Sequence, residues 1–548
     1  MQKISRLFYD KFAIQTTNDF VSKDDFGKLR HFILFGSENN NLYVNNHVIH
    51  IDELTCLDNL LEHCKYDDIL DIVTNYIKNI TNESCSGQGI FNVKGIKNNL
   101  IYVLARCCCI KLDDDPLFWK KDFKVDCFKR VLDVCYNSND LFLFIHLYEK
   151  LNFKLYGTTG WNYHIKQMVH DWYHLKSVKD LAFQITRYKS AYGWSHRDVL
   201  RLAHVKPSND MINSIFKYIT QETVYNNHSE KAVFDYLIAC NGILKEYNID
   251  KVIEYICTFN LTLEQIPKHL LDNHKVWVTL IPNMSTDVLL LNLNKISSLY
   301  ILDDYPDILK LILDKIKHVQ MNPLELFVII KKYKNDSHFI YKIPPPLKWK
   351  PNPIIIQALY DAFYNSFSGL KSIDKKILVV LDTSPSMSWN NIVNDRGERE
   401  LSISAADISC VMAMMLQHVG KHVNIVSFDI SMKKLDISSR YQLDKNLEQV
   451  KNKEVDNIDS ALPFVWAMNN NEKYDAVIII TDDDSVRQIN PSTALQVYRD
   501  EMNINTKLIM MKLTSELSRV SSENDDIYTL NMHGFNTHMY SIMNTFLN

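Results

Sequence analysis

The sequence predicts an α + α/β fold: a long all-α region followed by a doubly wound α/β domain. Three observations predict it. A chain of 548 residues exceeds what one hydrophobic core supports, so at least two domains are expected. From about Asp25 to Phe367 nearly every segment spaces its apolar residues three and four apart, which is the period of a helix with one buried face. Beyond Lys375 the pattern changes to short β-rich runs separated by helical stretches, the signature of parallel strands covered on both faces.

Composition agrees with a packed, helix-rich protein: 46% of residues are apolar and 23% charged, with only 13 glycines and 14 prolines. A formal net charge of −4 excludes a globally basic surface, so any nucleic-acid binding must come from a local patch. The opening MQKISRLFYD has no apolar core of the kind a signal peptide needs, and apolar runs such as Ala476 to Ile480 are far too short to span a bilayer. A soluble, intracellular protein is expected, cytoplasmic with a nuclear share left open, and monomeric. Eleven cysteines without a C-x-x-C pair fit a reducing compartment. Three of them, Cys107, Cys108 and Cys109, adjoin inside the apolar run IYVLARCCCI. Neighbouring side chains on a helix diverge by about 100°, so the triplet is read as part of a buried helix and not as a metal site.

Within the helical region, Ser177 and Asp180 make an S-x-x-D cap, followed by a stripe of Leu181, Ala182, Ile185 and Tyr188. Ser195 and Asp198 repeat the cap, so two helices joined at Gly193-Trp194 are expected to form an antiparallel hairpin, the stacking unit of helical solenoids. No exact repeat is legible, and irregular HEAT-type repeats are inferred from helix density alone. The run from Pro344 to Pro351 cannot continue a helix, because proline removes a backbone donor and restricts the preceding residue. A last helix, Ile354 to Phe367, then leads into the α/β domain, which sets the expected domains at 1–370 and 371–548. Strands are expected at Lys376 to Leu381, His422 to Phe428, Ala476 to Thr481 and Thr506 to Leu513.

After the first of these strands, Asp382-Thr-Ser-Pro-Ser386 sets one carboxylate and two hydroxyls on a single turn, where open α/β sheets bind ligands. Hard oxygen donors at this spacing suit Mg²⁺ or another divalent cation of similar chemistry. The third strand brings Asp482 to the same edge. Asp382, Ser384, Ser386 and Asp482 together match the metal-ion-dependent adhesion site of von Willebrand A-like domains. That pattern also wants a threonine, and Ile458, within Asp456-Asn-Ile-Asp459, stands in its place. An isoleucine offers no ligand. Two readings stand: a weakened site still holding metal with Asp459 or a water, and a turn that Asp382 and the serines only cap. A two-metal hydrolase would need Asp483 and Asp484 to converge with Asp382, whereas after a strand end they are expected to face solvent.

On the helix after Ser195, Arg197, Arg201 and His204 share one polar face while Val199, Leu202 and Ala203 are expected to point elsewhere. Arg187, Lys189 and Lys206 flank it, with Tyr188, Tyr192 and Trp194 interleaved. Guanidinium and ammonium donors beside aromatic rings suit phosphate contacts and base stacking, although a solvated helix face over core aromatics has the same spacing.

The run RYKSAYGWSHRDVLRLAHVKPS from Arg187 closely resembles the characteristic segment of the Ro ribonucleoprotein autoantigen family, which carries the TROVE module. LRHFILFGSE at Leu29, DWYH at Asp171, LKWKP at Leu347, DAFYNSF at Asp361, DTSPSM, LPFVWA, ITDDDS and HGF also resemble that family, in the same order along nearly the whole chain. The resemblance implies a TROVE module over 1–370, built as a closed ring of HEAT-like repeats with a basic central hole, and a von Willebrand A-like domain over 371–548. It implies binding of small noncoding Y RNAs on the outer ring surface and of single-stranded 3′ ends of misfolded noncoding RNAs in the hole. Positions implicated in outer-surface binding match Arg187, Ala191 and His204. Lys166 is kept, whereas Tyr163, Gln167 and Leu291 replace basic residues of relatives. Each lost phosphate contact weakens binding and flattens its salt dependence.

The expected function is therefore a non-catalytic RNA-binding protein acting in RNA stability or quality control through Lys166, Arg187, Lys189, Arg197, Arg201, His204 and Lys206. No catalytic set is legible, and P-loop and zinc spacings are absent. The alternative is an interaction scaffold whose metal edge takes a carboxylate from a protein partner.

Overall fold

The computed structural model describes residues 24–36, 38, 41–43, 54–86, 93–111, 118–221, 231–334, 350–393, 399–427, 432–451, 461–482, 491–514 and 528–547. These residues form two compact units, a helical one over 57–87 and 96–312 and a sheet-bearing one over 1–56, 88–95 and 313–548. The division does not fall at the expected boundary of 370/371. Helices on the N-terminal side of that boundary, from residue 313 onward, belong to the sheet-bearing unit.

In the helical unit the elements that position the basic residues are α1 (Ser138–Tyr156), α2 (Tyr163–His174), α3 (Val178–Arg187), α4 (His196–Ala203), α5 (Asp210–Gln221) and α6 (Lys231–Gly242). Both expected caps form. The Ser177 side chain accepts from the Asp180 N–H, and Ser195 with Asp198 makes a reciprocal capping box. The expected antiparallel pairing of α3 with α4 does not form, because α3 packs chiefly on α5 and α6 and α4 on α2 and α5. Between them the chain makes a two-stranded antiparallel ladder, Ser190–Ala191 with Trp194–Ser195. Its turn residues Tyr192 and Gly193 have φ of 54° and 81°, the left-handed pair that a tight hairpin turn requires. Glycine meets that demand without strain and tyrosine does not.

The core of α4 is set by His196, Val199, Leu200 and Ala203, all buried at helical spacing. Leu200 takes the place expected of Leu202, which is 44% exposed. Beneath α4, Trp172 and Tyr173 are fully buried, each contributing roughly 1.5–3 kcal/mol. Trp172 Nε1 donates to the Cys135 carbonyl, and the Tyr173 hydroxyl lies 2.7 Å from His196 Nδ1. Cys107, Cys108 and Cys109 are buried, with thiols pushed up by desolvation at Cys108 and, to about 12, at Cys109.

The sheet has six parallel strands: β1 (Asn41–Tyr43), β2 (Ile373–Leu381), β3 (Gly420–Ser427), β4 (Ala476–Thr481), β5 (Lys507–Lys512) and β6 (Thr529–His533). Their spatial order is β1-β6-β5-β4-β2-β3. Four strands match the expected runs to within a few residues, whereas β1 and β6 are additions, and β1 interrupts the region expected to be all-α. Central β2 pairs with β3 and β4, and the register Leu381 with Ile480 brings the residues after both strands to one edge.

Of the helices in this unit, α7 (Pro323–Lys334), α8 (Pro353–Ser366), α9 (Ala405–Val419), α10 (Leu443–Val450), α11 (Leu462–Asn469) and α12 (Pro491–Met502) matter below. One face of the sheet packs Leu378, Val380, Val477 and Ile479 against Phe464 of α11 and Leu495 and Tyr498 of α12. Helix α9 is buried nearly all round, between α7 and the sheet, as a helix apolar on every face must be. Its one buried carboxylate, Asp407, caps its own first turn with Ser404 and meets two lysines, with Lys451 Nζ at 2.7 Å and Lys331 Nζ of α7 at 3.5 Å. Among the described residues no helix is long and apolar enough to cross a membrane.

Candidate nucleic-acid interface and metal edge

The polar face of α4 is built as its spacing requires. The core stripe turns Arg197 and Arg201 outward, and His204 follows as the C-cap with φ 52° in the left-handed region, which redirects the chain so that Lys206 is exposed too. Among the described residues none of these four side chains has a carboxylate in an ion pair. Lys166 is half-buried on α2, the helix on which α4 packs, and Lys189 is exposed just after α3.

Arg187 differs from the others. Its guanidinium donates to Glu264 at 2.9 Å and stacks over the Phe183 and Tyr188 rings, so its charge is already engaged. Burial would raise the Glu264 carboxyl, but a backbone hydrogen bond and the one from Arg187 outweigh it and hold the group below the usual carboxylate range. The turn carrying Glu264 is fixed from below, where Gln265 Nε2 donates to Thr186 Oγ1 and to the Tyr236 hydroxyl. This ion pair is legible in no local motif, because its partners lie far apart in sequence.

The aromatic residues divide. Tyr192 is exposed at the hairpin turn and Tyr163 stands 72% exposed at the start of α2, so both offer faces for base stacking. Trp194 is half-buried against Trp161, and Tyr188 lies under Arg187. Of the positions where basic residues were expected, Gln167 donates to Asp171, Ala191 sits in the small ladder, and Leu291 is exposed.

At the carboxyl edge of the sheet, Asp382 is buried and both its oxygens are held: Oδ1 accepts from the Ser384 N–H and Oδ2 from the Thr481 hydroxyl, each at 2.8 Å. Ser384 and Ser386 hydroxyls lie 2.8 Å apart on the same turn. Asp482, also buried, accepts from Asn390 Nδ2, a residue that the motif does not point to. Burial pushes the Asp382 carboxyl up, and the Asp482 charge adds to the push. The structure thus brings Asp382, Ser384, Ser386 and Asp482 to one edge, and the hydroxyls of Thr383 and Ser388 are buried there without hydrogen-bond partners. Two carboxylates surrounded by hydroxyls are a hard-oxygen donor set that fits Mg²⁺. Among the described residues no group of three or more histidine, cysteine or acidic side chains could hold a metal. Asp456, Ile458, Asp459, Asp483 and Asp484 lie outside the described residues.

Comparison with known proteins gives consistent matches. Residues 66–254 match the TROVE domain family and residues 376–547 the Ro60 vWA domain family. The chain is 23% identical over 477 residues to RNA-binding protein RO60 of Caenorhabditis elegans, covering 76% of this chain and 71% of that one. It is 24% identical over 399 residues to RNA-binding protein RO60 of Deinococcus radiodurans, covering 71% and 72%. The crystal structure of the Deinococcus radiodurans RO (RSR) protein superposes with a TM-score of 0.79 over 96% of this chain and 99% of that one, at 19% identity. At that identity the superposition establishes the fold: a helix-rich chain with a central parallel sheet.

Proposed function

The chain belongs to the Ro60 family, and from that premise we propose that it is a non-catalytic RNA-binding protein whose contact surface for small noncoding RNA of the Y type centres on α4. The observation that carries this reading is the exposed set Arg197, Arg201, His204 and Lys206, which pairs with no carboxylate among the described residues while the core stripe behind it is fully packed. Unpaired cations on a rigid helix can meet phosphates without first breaking an ion pair. Tyr163 and Tyr192 supply stacking faces beside them. Arg187, already held by Glu264, contributes less than its place in the motif implies. The expected ring of HEAT-like repeats, with a central hole receiving 3′ ends of misfolded noncoding RNA for quality control, belongs to the same proposal, and the fold match supports its helix-rich architecture alone. The same proposal takes the protein as a monomer in the cytoplasm, a reducing compartment that suits eleven cysteines without a C-x-x-C pair.

The test is binding of a hairpin RNA at several salt concentrations to the wild type and to an Arg197→Ala/Arg201→Ala variant. Affinity is expected to fall, and the slope of log K against log salt to shrink by about 1.4 to 1.8, the loss of two phosphate contacts. An unchanged affinity and slope would exclude this surface.

The same proposal includes Mg²⁺ at the sheet edge, held by Asp382, Ser384, Ser386 and Asp482. Burial, with the neighbouring Asp482 charge, raises the cost of ionising Asp382, and a divalent cation relieves it. A saturating cation at about a hundred times its Kd stabilises by about 2.7 kcal/mol, so Mg²⁺ is expected to raise the unfolding temperature by several degrees in the wild type and not in Asp382→Asn. Equal shifts in both would leave the turn as a structural cap. One observation favours a second reading, docking of an acidic protein segment that completes the coordination: Trp389, at the end of the turn bearing the two serines, is 64% exposed. If the α4 variant keeps its RNA affinity while Asp382→Asn loses the Mg²⁺ response, this second reading takes precedence.

A further inference from the structure

Arg187, the last residue of α3, is paired where the cations of α4 are not. Its Nη2 donates to Glu264 at 2.9 Å, whereas Arg197, Arg201, His204 and Lys206 meet no carboxylate in an ion pair among the described residues. The guanidinium lies over the Phe183 and Tyr188 rings, 5.5 and 5.3 Å from their centroids, close enough for cation–π attraction. Its Nε is buried and has no hydrogen-bond partner among the described residues, which leaves the Nη end as the part of the fork that a phosphate could meet. Glu264 holds that end. The carboxylate does not depend on the arginine for its place. Gln265 Oε1 accepts from the Thr262 N–H at 2.8 Å, and Gln265 Nε2 donates to Thr186 Oγ1 at 2.9 Å, so the residues next to Glu264 and Arg187 are themselves bonded. The Tyr188 backbone meets the His196 ring, so Arg187 and Arg197 each stand one residue from a single contact between the end of α3 and the start of α4.

We propose that Glu264 sets the RNA affinity of this surface: its carboxylate occupies the Nη end of Arg187 in place of a phosphate, and RNA must displace it to gain that contact. This role rests on the reading of the protein as an RNA binder. Carboxylate and phosphate both take the planar guanidinium fork through charge-assisted hydrogen bonds, so the two compete for the same N–H groups. Because its turn is fixed by Gln265, a displaced Glu264 keeps its negative charge beside the incoming phosphate, and like charges at such range repel. A resident competitor weakens contact with any polyanion, and a repulsive element of this kind is how a surface of exposed cations limits indiscriminate binding. A salt bridge with a structural role alone would serve to hold the turn against α3. The bond from Gln265 to Thr186 already does that.

The test is binding of a hairpin RNA to the full-length Glu264→Gln and Glu264→Ala variants at several salt concentrations. The amide keeps the shape and loses the charge, and alanine leaves no acceptor at all. In both, the slope of log K against log salt is expected to steepen by about 0.7 to 0.9, one more phosphate contact. Counterion release alone then makes the affinity at 0.1 M salt about 5- to 8-fold higher than that of the wild type. In an Arg187→Ala background the same substitutions are expected to change affinity by less than about 2-fold, because a charge without a direct contact is screened at this ionic strength. Misfolding lowers affinity and cannot produce the gain. Unchanged affinity and slope in both variants would overturn the proposal. So would an equal gain with and without Arg187, which would make Glu264 a general repulsive charge. Arg197→Ala/Arg201→Ala separates this failure from that of the RNA-binding reading: a loss of affinity there, with no gain at Glu264, removes the role of Glu264 and leaves α4 as the contact surface. Absence of RNA binding in every form removes both.

Discussion

Asp407→Ala is expected to destabilise the sheet-bearing unit by about 3–5 kcal/mol, the range for breaking a buried ion pair from one side. The carboxylate is fully buried in α9 and lies between Lys331 of α7 and Lys451 after α10. Removing it strands two ammonium groups, one of them, Lys331, almost fully buried, and also deletes the side chain that closes the capping box with Ser404. The reverse substitution is expected to behave differently. Lys331→Met leaves Asp407 matched by Lys451 and gives an apolar side chain to an apolar interface, so its cost is expected to stay under about 1.5 kcal/mol. Urea denaturation measures both: Asp407→Ala lowers the midpoint at nearly constant slope, while Lys331→Met moves it little. Similar losses in the two variants would mean that the lysine contributes through packing and not through charge. Burial would raise the Asp407 carboxyl, yet the two lysines outweigh it and hold the group below its ordinary value. A depressed carboxylate contributes stability that is present above its unfolded value, about 3.9, and is lost as pH falls through the lower folded value.

The contrast between Asp407 and Asp382 shows what kind of information the sequence carries. Asp382 was legible because its chemistry is local: a strand, a turn and two serines within five positions, with the second acid following another apolar strand. Register between β2 and β4 then brings them together, as expected of neighbouring strands in a parallel sheet. Asp407 sits in AADISCVMAMMLQHV, where it reads as the third residue of a capped helix. Its two lysines come from segments with no pattern that links them to it. The same limit hid β1 and β6. Three residues of β1 carry no period, and their partner Asn531 interrupts an apolar run. On α4, helical spacing anticipates that Arg197, Arg201 and His204 are exposed together, but only the packed structure shows that Glu264 holds Arg187.

Mild acid is expected to destabilise the helical unit through one buried residue of α4, His196. It is fully enclosed by Phe142, Trp172 and Tyr173, and desolvation pushes its pKa down from 6.5 to about 3, with a backbone contact from Tyr188 offsetting only part of the shift. The unfolded chain therefore binds a proton below about pH 6.5 that the folded chain refuses. Stability is whole above that pH and falls by about 1.4 kcal/mol per pH unit as pH drops toward the folded value. Between about pH 6.5 and 4.5 the expected loss from His196 is about 2.3 kcal/mol. His533, pushed down to about 4 by burial in β6, adds a separate loss in the sheet-bearing unit. In His196→Phe the slope in this window is expected to drop by one proton. That variant also leaves the Tyr173 hydroxyl without its partner, costing about 1–3 kcal/mol at every pH, so the slope and not the absolute stability is the diagnostic quantity. A slope unchanged by the substitution would show that the imidazole protonates in place. The consequence for binding runs against simple electrostatics. Lowering pH adds positive charge and by itself strengthens attraction to phosphate. His196, however, is the first residue of α4, the helix that presents Arg197 and Arg201. Protonating it in an aromatic cage unseats the helix that carries the charge, so RNA affinity is expected to fall with acid in the wild type and to hold in the His196→Phe variant.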